Sequence, residues 1–242
     1  MKRVILFLVL FGLLKAWPDT TVNGEVSGTW TKTESPYVVI GDIWVSAGKG
    51  LVIEEGVLVR FDQGKVFSVW GSLSCGGTET EPVVFAGSSE VNGYWKGINV
   101  LGGWASFRWC HILYGESNLT LDEGVAVIED SFVGSSSYCG VSLNAGIATI
   151  TDTTFAGNAW PILQDINSRP IFTGTITLLD KDYIYLSGTT LSQDNTFGRD
   201  DGEPIRYYVP NETTITIPET YTLTVLPNTS VLFGYSYWDH CR

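Results

Sequence analysis

Residues 97–107 read GINVLGGWASF, residues 118–128 read NLTLDEGVAVI, and residues 140–150 read GVSLNAGIATI. The three segments align without a gap, at steps of 21 and then 22 residues. Apolar residues alternate along each copy, which is the pattern of β-strands, and a fixed period of this length is typical of stacked turns. The stretch therefore predicts an all-β fold, a parallel β-solenoid in which matching residues lie roughly 4.8 Å apart along the stack.

Five columns of residues stay in step through the three copies. They are Ile98, Leu119 and Val141; Val100, Leu121 and Leu143; Gly103, Gly124 and Gly146; Ala105, Ala126 and Ala148; and Phe107, Ile128 and Ile150. In a solenoid the apolar columns become interior ladders and the glycines mark corners.

The N-terminus has the order of a secretory signal peptide. Met1-Lys2-Arg3 precedes an apolar run of 11 residues, 4–14, and Ala16 offers a small residue at the cleavage point. Such a run is too short to span a bilayer of about 30 Å as a helix. We therefore expect residues 1–16 to be removed and the protein to be secreted, extracellular or at the cell surface, without membrane insertion.

The chain is acidic, with a formal net charge of -12 at pH 7. This charge disfavours nucleic acid and anionic lipid as partners, because both are polyanions. No residue pattern predicts a cofactor.

Three further segments carry a resemblance to a known family. They are Leu51-Val52-Ile53 with Gly56, Val59 and Phe61; the segment from Gly71 to Phe85; and Trp95-Lys96-Gly97-Ile98. In them the chain resembles the secreted right-handed parallel β-helix proteins of the pectin-lyase-like superfamily, in particular their non-enzymatic bacterial surface members. The resemblance covers residues 36–160 and implies a right-handed parallel β-helix, but no chemistry.

A longer repeat relates the two ends of the chain. Six apolar residues recur at one offset of 172 residues: Ile43, Val45, Leu51, Ile53, Val59 and Phe61 match Ile215, Ile217, Leu223, Val225, Val231 and Phe233. The sequence therefore predicts a loosely structured N-terminal cap at 17–35, a β-helix module at 36–180, a connector at 181–203, and the start of a second, incomplete module at 204–242.

Two aspartates are weak catalytic candidates. Asp130 and Asp152 share one column, so their carboxylates could lie close enough for the acid and nucleophile of a retaining glycosidase. Ser131 and Thr153 follow them, which favours turns in which short polar side chains bond the backbone. We expect the turn-forming role.

The acidic residues of one glycine-containing loop are weak candidates for calcium ligands. Their carboxylates could supply oxygen ligands, but their spacing matches no calcium-binding motif. They are Asp194, Asp200, Asp201 and Glu203. A solvated linker is the favoured interpretation, and no metal site is predicted.

The chain contains nine tryptophans, so exposed aromatic side chains are a further candidate for a binding site. Trp44 and Trp70 alternate with apolar neighbours and should face outward, where they could stack on sugar rings. Packing under loops or under the N-terminal cap is the favoured interpretation. Trp95 and Trp104 fall near corners in apolar columns and are expected to be structural.

The four cysteines are even in number, as in a disulfide-bonded secreted protein, but three pairings are open. For Cys75, Cys110, Cys139 and Cys241, buried free thiols are slightly favoured over a single disulfide, and the sequence leaves the choice open.

These features predict an exported structural or adhesin-like scaffold that binds a polysaccharide, a cell-surface glycan or a protein weakly along its flank. A polysaccharide lyase or glycoside hydrolase of the same fold is one alternative. A filament subunit is another, in which the open C-terminal end of one copy docks on the N-terminal end of the next.

Overall fold

The computed structural model describes residues 19–188, 190–211 and 213–234. Within these ranges the chain forms 25 β-strands and one short 3-10 helix, Lys32–Glu34. No helix of the described residues is long and apolar enough to cross a membrane. The predicted signal peptide, Cys241 and the end of the predicted second module lie outside the described residues.

The strands form a parallel β-solenoid of about nine turns with about 22 residues per turn, as the sequence predicts. All pairings between its strands are parallel. Each turn passes through three faces. Right-handed winding stays a prediction.

Face 1 is the longest of the three. It contains the end of β1 (Thr20–Glu25), which pairs along both halves of β3, then the second half of β3 (Tyr37–Val45), β6 (Val66–Val69), β9 (Gly97–Leu101), β12 (Ser117–Asp122), β15 (Cys139–Asn144), β18 (Trp160–Asp165), β21 (Ile184–Ser187), β23 (Ile205–Val209) and β25 (Thr229–Phe233).

Face 2 contains β2 (Gly28–Trp30), β4 (Gly50–Ile53), β7 (Ser72–Gly76), β10 (Trp104–Arg108), β13 (Val125–Glu129), β16 (Ile147–Thr151) and β19 (Arg169–Thr173). Face 3 contains the first half of β3, β5 (Leu58–Phe61), β8 (Val83–Gly87), β11 (Cys110–Leu113), β14 (Phe132–Gly134), β17 (Thr154–Ala156) and β20 (Thr177–Leu178). We count turn 1 from the second half of β3, so that turn 6 consists of β18, β19 and β20.

The interior is filled by the ladders that the repeat predicts. Phe107 pairs with Ile128, and Ile128 pairs with Ile150, in register on face 2. All three are fully buried and belong to one core that runs the length of the stack. Burying each such side chain contributes roughly 1.5 to 3 kcal/mol, and this apolar column is what holds the turns together.

Two of the three faces are interrupted after turn 6. In the described residues β19 and β20 have strand partners only in turn 5, on β16 and β17, and none in turn 7. The next strands on this side, β22 (Asn195–Phe197) and β24 (Leu223–Val225), pair only with each other. Face 1 alone continues, through β18, β21 and β23. We call this interruption the inter-turn break.

The inter-turn break falls near the predicted boundary between module and connector. Strands β23 and β25, which lie in the predicted second module, stack on the same sheet as the preceding turns. The division into two modules stays a prediction.

The N-terminal segment is more regular than expected. Residues 17–35 are predicted to be loosely structured, but Thr20–Glu25 pairs along β3 and Gly28–Trp30 pairs with β4. The polar, glycine-rich composition of residues 17–35 does not indicate strands. They are end strands with partially exposed side chains, so they lack the apolar alternation of the core.

Candidate functional site

A groove of about 560 Å³ lies outside the corner between faces 1 and 2, across turns 1 to 4. We call it the corner groove. Its lining residues come from matching positions of successive turns: Gly48, Lys49, Gly50, Trp70, Gly71, Ser72, Gly102, Gly103, Trp104 and Val125.

Two exposed tryptophans line the corner groove. Trp70 is 46% exposed and Trp104 is 42% exposed, so a large part of each indole is in contact with solvent. Both point outward because their neighbours Val69 and Ala105 point into the core. Ser72 pairs with Trp104 across the two turns, so the tryptophans come from adjacent levels of the stack.

The floor of the corner groove is bare backbone. A Cβ on Gly71 would lie 2.3 Å from the carbonyl oxygen of Lys49, and a Cβ on Gly103 would lie 2.6 Å from that of Val69. No side chain fits at these distances. The same close approach of successive turns that requires glycine therefore leaves a shallow, rigid floor beneath the tryptophans.

An apolar strip extends the groove along face 2. Trp104, Val125 and Ile147 pair in register, and each is at least 36% exposed. Three exposed apolar residues at one outward position indicate a flat surface that can contact an extended ligand.

The two predicted glycan-binding tryptophans lie in different places. Trp70 lines the corner groove. Trp44 also faces outward, at 38% exposed, but its ring lies over Gly24 of β1, 3.9 Å from where a Cβ would be, and it does not line the groove. Glycan binding at either residue stays a prediction.

The expectation for Trp95 is confirmed and that for Trp104 is wrong. Trp95 is fully buried, stacks on Phe61 with ring centroids 3.9 Å apart, and donates from Nε1 to the Leu113 carbonyl oxygen at 2.8 Å. Trp104 faces solvent. Because Trp104 is next to the inward-facing Ala105 on the same strand, alternation could have predicted that the Trp104 side chain faces outward.

Asp130 and Asp152 occupy one corner column in the left-handed backbone region. Their φ angles are 49° and 45°, and the column continues to Gly174 with φ 62°. Oδ1 of Asp152 accepts a hydrogen bond from the Thr175 backbone N–H at 2.8 Å. The Asp130 carboxylate lies 3.9 Å from Nε of Arg108. Both aspartates thus make contacts that stabilise the backbone turn at this corner.

The hydroxyl residues that follow them also bond the backbone. Ser131 Oγ donates to the Glu129 carbonyl oxygen at 2.7 Å, and Thr153 Oγ1 donates to that of Thr151 at 2.8 Å. This is the turn geometry that the sequence favoured. A catalytic role for Asp130 or Asp152 stays a prediction.

The four calcium candidates do not form one cluster. Asp201 accepts hydrogen bonds from Nε and Nη2 of Arg199, at 2.9 and 2.5 Å, and these bonds lower the pKa of Asp201 to about 2. Asp194 accepts from the Thr222 backbone N–H at 2.7 Å. Asp200 and Glu203 are exposed. Nowhere in the described part of the chain do three or more metal-ligating side chains converge.

Three of the cysteines are buried free thiols: Cys75, Cys110 and Cys139. Burial raises the pKa of Cys75, and it raises that of Cys139 to about 11. Thiols with such pKa values carry almost no thiolate at neutral pH, so they are poor nucleophiles. Burial likewise lowers the pKa of His111, whose ring meets Phe132 edge-on at 5.9 Å.

Sequence reasoning missed an aromatic cluster on the outside of face 1. Trp160 and Tyr185 have ring centroids 4.2 Å apart, Tyr183 and Tyr208 lie 5.1 Å apart, and Nζ of Lys181 is 3.3 Å from the Trp160 ring. The signal was present, since Tyr183 and Tyr185 flank the buried Ile184 as outward residues of a strand do.

Comparison of this chain with protein-family models, curated proteins and solved structures finds no match.

Proposed function

We propose that this protein is an exported, rigid β-helix scaffold that binds a glycan along its flank, in the manner of an adhesin. The proposal places it with the non-enzymatic surface proteins of the pectin-lyase-like superfamily, on the resemblance of residues 36–160. The corner groove is the proposed binding site.

One observation carries the proposal: two exposed tryptophans line a groove whose floor is backbone. A tryptophan ring has an apolar face and a polar N–H, so it suits a ligand that alternates apolar and polar surface, as a sugar ring does. Exposed aromatic residues on a solvent-facing surface contribute little to folding, whereas in contact with a ligand they bury large area.

Rigidity supports the same function. Trp104 projects from β10 and Trp70 directly follows β6, and both strands are paired on both sides, so little conformational freedom is lost when a ligand binds. The apolar strip of Val125 and Ile147 offers continued contact for an extended chain.

The test is binding of the full chain to a panel of neutral and acidic polysaccharides, measured by affinity electrophoresis. Trp70→Ala and Trp104→Ala should each reduce retardation, and together they should abolish it. Tyr138→Ala, which removes an aromatic ring that is 47% exposed outside the groove, is the matched control. Binding that survives the double substitution, or no binding to any polysaccharide, would reject the proposal. Release of cleavage products, lost in Asp130→Ala or Asp152→Ala, would replace it with the enzyme alternative.

A further inference from the structure

The inter-turn break contains a cavity lined by residues of turns 6, 7 and 8. Its volume is about 290 Å³, and it opens where β20 has no strand partner in turn 7. In turns 2 to 5 the interior at this level is filled by buried side chains such as Phe85 and Phe155.

The inner wall of the cavity is apolar. Six side chains from turns 6, 7 and 8 form it: Ile162, Phe172, Ile176, Leu178, Ile184 and Ile205. A dry apolar cavity of about 150 Å³ is enough to bind benzene in a protein core. The cavity here is larger than that, so it has room for a short alkyl chain or a small aromatic body.

Two arginines stand at the polar side of the cavity. The side chain of Arg199 is only 5% exposed, and its Nη2 donates to the Gly174 carbonyl oxygen at 2.7 Å, across the inter-turn break. Arg206 is 55% exposed at the mouth, where its Nη1 donates to Asp182 at 2.5 Å.

Both guanidinium groups retain unused donors. Arg199 uses Nε and Nη2 on Asp201 and Gly174, while its Nη1 bonds no described residue. Arg206 uses only Nη1, and its Nε and Nη2 bond no residue in the described ranges. Since guanidinium donors pair best with carboxylate-like acceptors, the polar side of the cavity suits an anionic head group.

We propose that the inter-turn break is a binding site for a small amphiphile, with its apolar body in the cavity and its carboxylate on Arg199 and Arg206. The ligand class is a medium-chain fatty acid or a small aromatic acid. The cavity lies at turns 6 to 8 and the corner groove at turns 1 to 4, so this site is independent of glycan binding.

Isothermal titration calorimetry with octanoate and with octan-1-ol, on the full chain, tests the proposal. The two probes share an apolar chain and differ in the head group. Octanoate should bind with one site per chain and more tightly than octanol, because only the carboxylate carries a negative charge and can accept two hydrogen bonds from a guanidinium at once. Arg206→Gln should weaken octanoate binding about tenfold and leave octanol unchanged. Arg108→Gln, at an exposed arginine far from the cavity, is its control.

A substitution that fills the cavity is the second test of the proposed binding site. Leu178→Trp should abolish binding of both probes while the melting temperature stays equal or rises, and Ile147→Trp on face 2 is the matched control. If Leu178→Trp fails to fold, Ile176→Phe serves the same purpose. No saturable octanoate binding, full binding in the folded filled variant, or equal affinity for both probes would each overturn the proposal.

Discussion

The carboxylate of Asp152 accepts a hydrogen bond of 2.8 Å from the backbone N–H of Thr175, one turn further along the stack. Asp152 thereby supplies a hydrogen-bond acceptor for the corner of the next turn, where the backbone is not paired as a strand. A residue that resembles a catalytic carboxylate in the sequence thus has a contact that explains its presence structurally.

This contact predicts a stability effect. Asp152→Ala should lower the free energy of unfolding by about 1 kcal/mol, since the Thr175 N–H loses its acceptor, whereas Asp152→Asn retains an acceptor and should cost less. Asp130→Ala is the control, because it places alanine at a similar positive φ and removes only the partly exposed Asp130–Arg108 pair, which should contribute about 0 to 1 kcal/mol. Urea denaturation measures all three. Equal losses in the Ala and Asn variants at position 152 would contradict the structural role.

The alkaline stability of the protein should depend on Tyr207. This side chain is 1% exposed and stacks on Phe197 at 4.8 Å, and burial raises its pKa from 10.0 to about 12. The unfolded chain would release this proton near pH 10, and the folded chain only near pH 12. The stabilisation is therefore complete below pH 10 and is lost as the pH rises from 10 towards 12, by about 2 to 3 kcal/mol in all.

Chemical denaturation at pH 9, 10 and 11 checks this dependence. In Tyr207→Phe the contribution of this group to the pH dependence should disappear, whereas Tyr221→Phe, at an exposed tyrosine, should leave it unchanged. Identical pH slopes for the parent protein and Tyr207→Phe would contradict the assignment.

The fold was predictable from the sequence because the repeat is strict where the core is regular. The columns of Phe107 and Ala105 continue in register through β13 and β16, as expected from a period near 22. The candidate site was only partly predictable. Trp70 could be placed outside by alternation, but its convergence with Trp104 and the glycine floor depends on how adjacent corners stack.

The inter-turn break could not be read from residue types. The strands beyond it still alternate, as in β23 of face 1 with Ile205, Tyr207 and Val209 buried, so the pattern indicates continued turns. What differs is that side chains replace backbone pairing: Asn195 Nδ2 donates to the Ile166 and Ser168 carbonyl oxygens at 2.7 and 2.9 Å, where a strand partner would otherwise be expected.

The break predicts uneven protection of backbone amides. Amides of β22 and β24, which pair only with each other, should exchange with deuterium faster than those of β13 and β16, which are paired on both sides. Arg199→Lys, which weakens the bridge to Gly174, should accelerate exchange beyond residue 190 and leave residues 97–156 unchanged. Mass spectrometry after timed labelling measures both, and uniform protection along the chain would contradict the prediction.

Residues about 22 apart lie directly above one another along the stack. Val127 and Thr149 are in register on neighbouring strands and point outward, and Ile171 lies one turn further. Parallel partners roughly 4.8 Å apart fall within the Cα separation of a disulfide, whereas residues two turns apart, at about 9.6 Å, do not. Val127→Cys with Thr149→Cys should therefore form an intramolecular disulfide under mild oxidation, detected by mass spectrometry, and Val127→Cys with Ile171→Cys should not. Absence of the first cross-link, or formation of the second with equal yield, would contradict the stacked solenoid.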